Sequence, residues 1–190
     1  MLENKKIGLL GGSFNPAHEG HLHISIHAAD RLELDEIWWL VSPQNPLKPV
    51  SEMASLENRV ISAEKIAKDP RIRVSTIEKE LGTQYTIDTI NALKKRFPQH
   101  KFIWLMGADN LSGFEKWKNW QDIFKTIPIA VLAREPYTKK ALESEAANLF
   151  RDKMIAENKA KELVEINPPA WVYLKIPTHP ASSTEIRKAL

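Results

Sequence analysis

The stretch Ile7-Gly8-Leu9-Leu10-Gly11-Gly12-Ser13-Phe14-Asn15-Pro16-Ala17-His18-Glu19-Gly20-His21 decides how this chain is read. Its apolar opening, Ile7 to Leu10, predicts a short buried strand. Beyond it Leu22, Ile26, Ala29 and Leu32 recur at helical spacing and predict a first helix of about three turns. Between strand and helix lie paired glycines, then two histidines where the turn becomes the helix. Adjacent glycines let backbone N–H groups approach a ligand closely, and a helix N-terminus favours negative charge. Imidazoles at that point add donors that are neutral or cationic near neutral pH. A phosphate-rich ligand suits this chemistry best.

Outward from the turn, strand-like and helix-like segments alternate. Glu36–Val41, Arg71–Thr76, Lys101–Met106, Pro128–Ala133 and Trp171–Ile176 read as strands. Helices are predicted from Leu56, Val60, Ala63 and Ala67, over Thr86–Phe97, and over the short segment Ser182–Leu190. The charged segment Lys139–Lys161 reads as mostly helical, and Ser42–Ala54 as a proline-punctuated loop. Strands separated by helices predict βαβ units with right-handed crossovers. The expected fold is α/β: a Rossmann-like, doubly wound parallel sheet with helices on both faces, in a single domain spanning residues 1–190. Ligands of such sheets bind beyond the carboxyl ends of the strands. That points to four loops: Gly11–His18, Ser42–Lys48, Gly107–Asn110 and Arg134–Tyr137.

Composition sets the outer bounds. A chain of 190 residues can bury roughly 70% of its unfolded surface in one core. Hydrophobic residues at 43% and charged residues at 27% are ordinary for a globular protein. A net charge of +3, with basic and acidic residues interspersed, fits small anions and gives no nucleic-acid footprint. Without cysteine there is neither a disulfide framework nor a thiolate metal site. The apolar run after Lys5 and Lys6 is too short for a signal peptide or membrane span, so the expected location is the cytoplasm, with no membrane partner.

Familiar phosphate motifs fail. Gly8, Gly11 and Gly12 do not make G-x-G-x-x-G, and no G-K-[ST] follows them. The zincin pattern fails too, because position 22 is Leu22. His23 and His27 are four apart without an evident third ligand, and read as solvated surface histidines. His18 and His21 lie three apart and can face one anion. At the other end, Ser182-Ser183-Thr184-Glu185 reads as a capping box with Ser182 as N-cap. Capping leaves Ser183, Thr184 and Arg187 unexplained, whereas a polyphosphate would use all three. Trp117 and Trp120 either pack in the core or stack on a flat heterocycle. Asp109 is either a helix N-cap or an acceptor for ribose hydroxyls.

As an ordered set these residues resemble the nucleotidyltransferase superfamily marked by an H-x-G-H turn and a C-terminal S-S-T-x-x-R. Within it they are similar to the bacterial nicotinate mononucleotide adenylyltransferases. The likeness spans the chain: Gly11–His21, Pro43–Lys48, Tyr85-Thr86, Met106–Asn110, Trp117 and Ser182–Arg187. Two positions depart from the family pattern: Asn15 stands for its usual Asp, and Ala181 for the Ile that opens the C-terminal motif. Neither change removes a phosphate-facing donor.

The resemblance implies an enzyme that joins ATP and nicotinate mononucleotide into the deamido form of NAD, releasing pyrophosphate, with Mg2+ carried by the phosphates of ATP. It implies a catalytic set of His18, His21 and Arg187. Gly11, Gly12, Ser13 and Phe14 would line the nucleotide turn, with Ser183 and Thr184 on the β- and γ-phosphates. Trp117 would stack on the pyridine, and Tyr85 and Thr86 would offer backbone N–H groups to its carboxylate. Lys48 and Arg134 would serve the mononucleotide phosphate, and Asp109 a ribose. Adenylyl transfer to nicotinamide mononucleotide or phosphopantetheine is the neighbouring alternative, and a non-catalytic nucleotide-binding module the more distant one. Oligomeric state is not encoded in any of these residues.

Overall fold

The run Glu36-Ile37-Trp38-Trp39-Leu40-Val41 is buried along its whole length, as a strand covered on both faces must be. In the computed structural model, which describes residues 4–44 and 53–189, this is β2 of a six-stranded sheet. The strands are β1 (Lys6–Gly12), β2 (Glu36–Val41), β3 (Ile72–Ser75), β4 (Lys101–Gly107), β5 (Ile129–Leu132) and β6 (Trp171–Leu174). Their order is β3-β2-β1-β4-β5-β6, and every neighbouring pair is parallel. The expected doubly wound α/β fold is present. From β1 the chain winds outward through β2 and β3, then returns to start again at β4. The crevice beyond the carboxyl ends of β1 and β4 is therefore the topological switch point.

The helices are α1 (Glu19–Leu32), α2 (Leu56–Ile66), α3 (Ile77–Leu81), α4 (Thr86–Arg96), α5 (Ala108–Leu111), α6 (Trp120–Thr126), α7 (Thr138–Leu142), α8 (Glu145–Leu149) and α9 (Ser183–Lys188). Alternation along the strands makes two cores. Leu9, Trp38, Leu40, Trp104 and Trp171 face one side, with Ile90 and Leu93 of α4 and Phe124 of α6. Leu10, Ile37, Trp39, Leu105 and Val172 face the other, with Ala28, Ala29 and Leu32 of α1. Each large apolar side chain so buried stabilises the fold by about 1.5–3 kcal/mol.

Three expectations are corrected. The strand of Ile7–Leu10 continues through Gly11 and Gly12, which pair in register with Leu40 and Val41. The buried stripe of α1 is Ser25, Ala28, Ala29 and Leu32, so Ile26 lies off the core. The small Ser25 fits there because its hydroxyl donates to His21 O at 2.8 Å and accepts from Trp39 Nε1 at 2.8 Å. Lys139–Lys161 is not one helical segment: after α7 and α8 it continues as 3-10 turns at Arg151–Lys153 and Glu157–Glu165. At the break the Phe150 carbonyl accepts both Trp171 Nε1 at 2.8 Å and the Lys153 N–H at 3.0 Å, the tighter bond of a 3-10 turn.

Candidate active site

The turn from β1 to α1 gets its shape from a residue other than glycine. Phe14 has φ 48, the left-handed region that a bulky side chain rarely enters. The ring is buried, stacked on Trp39 at 5.1 Å and tilted against the His21 ring at 4.7 Å, so packing outweighs the backbone strain. Gly11 is also required by packing: a Cβ there would come within 2.6 Å of the Trp104 indole.

His18 is the N-cap of α1. Its Nδ1 accepts from the Gly20 N–H at 3.1 Å, and His21 Nδ1 accepts from the His18 N–H at 3.2 Å. Each ring thus spends Nδ1 as an acceptor, which places the proton of the neutral form on Nε2. Burial, then the nearby charges of Arg134 and His179, push the His18 pKa down to about 4. At neutral pH His18 is an uncharged hydrogen-bond donor, with its ring centroid 4.0 Å from that of His21.

The end of the chain docks on this turn. Arg187 Nη1 donates to Asn15 O at 2.6 Å, and Ser183 Oγ donates to Pro16 O at 3.0 Å. Gly20 is required at this junction: a Cβ there would meet the His18 ring at 2.9 Å and Ala181 O at 3.2 Å. Ser182 is the N-cap of α9 as expected, but its side chain makes no cap hydrogen bond, so the capping box is absent. Docking explains this, since the segment is fixed by bonds to the β1–α1 turn and Glu185 pairs with Lys188. Asn15 Oδ1 accepts from the Ala54 N–H at 3.2 Å, a role that the family's Asp could equally fill.

Arg134, after β5, pairs with Asp109 at 3.0 Å and donates to Ala181 O at 3.3 Å. Asp109 lies in the first turn of α5, whose N-cap is Gly107, so it is not the N-cap. Its Oδ1 is buried with no hydrogen-bond partner, an acceptor that a ligand hydroxyl would satisfy.

At the far end stand Trp117, Tyr85 and Thr86. Trp117 packs on Phe114 at 4.9 Å and edge-on to Trp104 at 6.3 Å. Thr86 begins α4, and its N-cap Tyr85 supplies no side-chain cap, which leaves first-turn N–H groups available to an anion. Lys118 Nζ sits 4.1 Å over the Tyr85 ring. Trp120 packs against Phe150 at 6.2 Å and belongs to the core.

The candidate site residues described above border one cleft of about 660 Å³. It is lined by Gly11, Gly12, Ser13, Phe14, His18 and His21, by Tyr85, Thr86, Asp109, Trp117 and Arg134, and by Ser183, Thr184 and Arg187. Lys48 lies outside the described residues. His23 is less solvated than expected: it also lines the cleft, and its Nε2 bonds Pro177 O at 2.6 Å.

Three further residues emerge only from the structure. Arg59 of α2 is 2% exposed and donates to four carbonyls: Ser13 and Ser42 at 2.7 Å, Pro43 at 2.9 Å and Ala54 at 3.0 Å. It ties the β1 turn to the segment after β2. Glu78, 7% exposed, accepts from Thr89 Oγ1 at 3.0 Å in the cleft wall. Burial pushes its carboxyl up to about 7, against the pull of hydrogen bonds from Thr89 and Ser42. His179 is the third.

A family model described as cytidylyltransferase-like matches residues 9–189, a span holding both histidines and the C-terminal motif. A relative from Parvibaculum lavamentivorans is 54% identical over 96% of this chain and 91% of its own length. Another, from a Ruegeria species, is 47% identical over 96% of each chain. Both are named "probable nicotinate-nucleotide adenylyltransferase". The chain belongs to this family. Among solved structures, Plasmodium falciparum nicotinic acid mononucleotide adenylyltransferase complexed with NaAD has a TM-score of 0.72 at 18% identity, over 97% of this chain and 83% of that one. Its complex with APC gives 0.70. At such identity the likeness is one of fold. Among the described residues no helix is long and apolar enough to cross a membrane.

Proposed function

We propose that this chain transfers the adenylyl group of ATP to nicotinate mononucleotide, a step of NAD synthesis that releases pyrophosphate. One observation carries the reading: His18 and His21 of the first turn, and Ser183 and Arg187 of the last helix, border the same cleft as Trp117 and Thr86. The naming of the relatives supports it independently.

A phosphate oxygen of the mononucleotide attacks the α-phosphorus of ATP, the bond to the α,β-bridging oxygen breaks, and the electron pair leaves with pyrophosphate. No protein nucleophile is needed; catalysis rests on alignment and on donors placed where charge develops. His18 and His21 aim Nε2–H donors at the reacting phosphates, fixed in that tautomer by the backbone. Ser183, Thr184 and Arg187 hold the β- and γ-phosphates. Trp117 stacks on the pyridine ring, and the start of α4 receives its carboxylate. Asp109 Oδ1 takes a ribose hydroxyl, and Arg134 the mononucleotide phosphate.

Magnesium fits as a passenger of the triphosphate, because no group of three His, Asp or Glu side chains among the described residues could hold an ion and this cation favours substrate phosphates. When bound it neutralises phosphate charge.

The test is pyrophosphate release with ATP and, in turn, nicotinate mononucleotide, nicotinamide mononucleotide and phosphopantetheine. The acid is expected to be fastest. A faster rate with either alternative reassigns the substrate. Calorimetric ATP binding without turnover on any of them would make the chain a binding module.

A further inference from the structure

Three imidazoles in the cleft share one hydrogen-bond arrangement. His18 Nδ1 accepts from the N–H two residues ahead, on Gly20. His179 Nδ1 does the same, accepting from the Ala181 N–H at 3.2 Å. The third is His21, whose Nδ1 is engaged by the His18 N–H. In each, the lone pair of Nδ1 is spent on the backbone, and the neutral ring carries its proton on Nε2. Two of these rings belong to the β1–α1 turn. His179 stands on the segment that leads into α9, half-buried in the cleft wall.

Its position is fixed from several sides. The Ala181 peptide, whose N–H His179 holds, turns its carbonyl toward Arg134 and toward the space beside Gly20. The His179 ring is 5.3 Å from that of His23, which is itself tied to Pro177 O. His179 is also close enough to His18 for its charge to oppose protonation there.

We propose that His179 is a third imidazole donor to the triphosphate of ATP, acting through Nε2–H on the pyrophosphate that departs. It shares a segment with Ser183 and Arg187, and the assignment to the departing end rests on the adenylyl-transfer reading above. A directed donor suits this place: Arg134 and Arg187 already supply full charge, and an imidazole Nε2–H adds a hydrogen bond of fixed direction.

The rival role for His179 is to lock the Ala181 turn and nothing more. His179→Asn separates the two, because an Asn side-chain carbonyl can accept the N–H two residues on but is too short to deliver the Nε2 donor. Binding of inorganic tripolyphosphate and of ATP is measured by calorimetry for wild type, His179→Asn and His179→Ala, beside thermal melts. Both variants should bind both ligands about tenfold more weakly, with KM for nicotinate mononucleotide unchanged. Wild-type affinity in His179→Asn overturns the proposal, and should His179→Ala fail to fold, the Asn variant decides alone. A wild type that binds tripolyphosphate but never releases pyrophosphate sinks adenylyl transfer and leaves the His179 contact to be judged by binding. A wild type that binds neither ligand sinks both.

Discussion

At one end of the cleft the polar groups come from the first turn and the last helix, and backbone hydrogen bonds fix them: Gly20 to His18, His18 to His21, Arg187 to Asn15. At the other end they come from the middle of the chain, and ring packing fixes them: Trp117 on Phe114, Lys118 over Tyr85. The contrast follows the work proposed for each end. Phosphoryl transfer needs donors aimed within tenths of an ångström, which short hydrogen bonds deliver. Holding a flat ring needs a broad apolar face, for which packing suffices.

The division can be broken most forcefully at His21. His21→Ala should cut turnover about a hundredfold or more, far more than the loss of the bond to the His18 N–H, about 1 kcal/mol, lowers the thermal melt. Pyrophosphate release at the wild-type rate would mean that this is not the reacting end. Trp117→Ala should raise KM for the mononucleotide about tenfold, the worth of a lost stacking face, and leave KM for ATP alone. Equal rises for both substrates would erase the distinction.

The smallest effect is in pH, where the two ends carry opposite signs. Glu78, raised from 4.5 to about 7, contributes stability that is full below 4.5 and lost as pH rises through about 7. His18, lowered from 6.5 to about 4, contributes stability that is full above 6.5 and lost as pH falls through about 4. Melting temperature against pH should therefore flatten on the alkaline side in Glu78→Gln and on the acid side in His18→Gln. Unchanged slopes in either variant would show that the group does not titrate as its surroundings demand.

That the two motifs share one cleft could be anticipated from the sequence, because the proposed phosphate donors are concentrated in two short runs of residue types with few other uses. The doubly wound parallel sheet followed from the alternation of strands and helices, although its strand order did not. What stayed hidden depends on contacts distant in sequence. Arg59, between Asn58 and Val60 on an amphipathic helix, looks like any solvated arginine. It is buried because carbonyls from two loops converge on it, and carbonyl directions leave no trace in residue types. Glu78 sits in Glu78-Lys79-Glu80, which reads as surface charge until Thr89 is folded against it. The break after α8 is met by the indole of Trp171, twenty-one residues downstream of Phe150.

The docking of α9 on the β1–α1 turn also bears on synthesis. Chains grow from the N-terminus, and early segments can begin to fold while later ones are still being made. The sheet needs nothing beyond Leu174, yet under the proposed roles the grip on ATP is unfinished until Arg187 has left the ribosome. A chain cut before α9 would accordingly keep the core and, lacking Ser183, Thr184 and Arg187, be unable to use nucleotide.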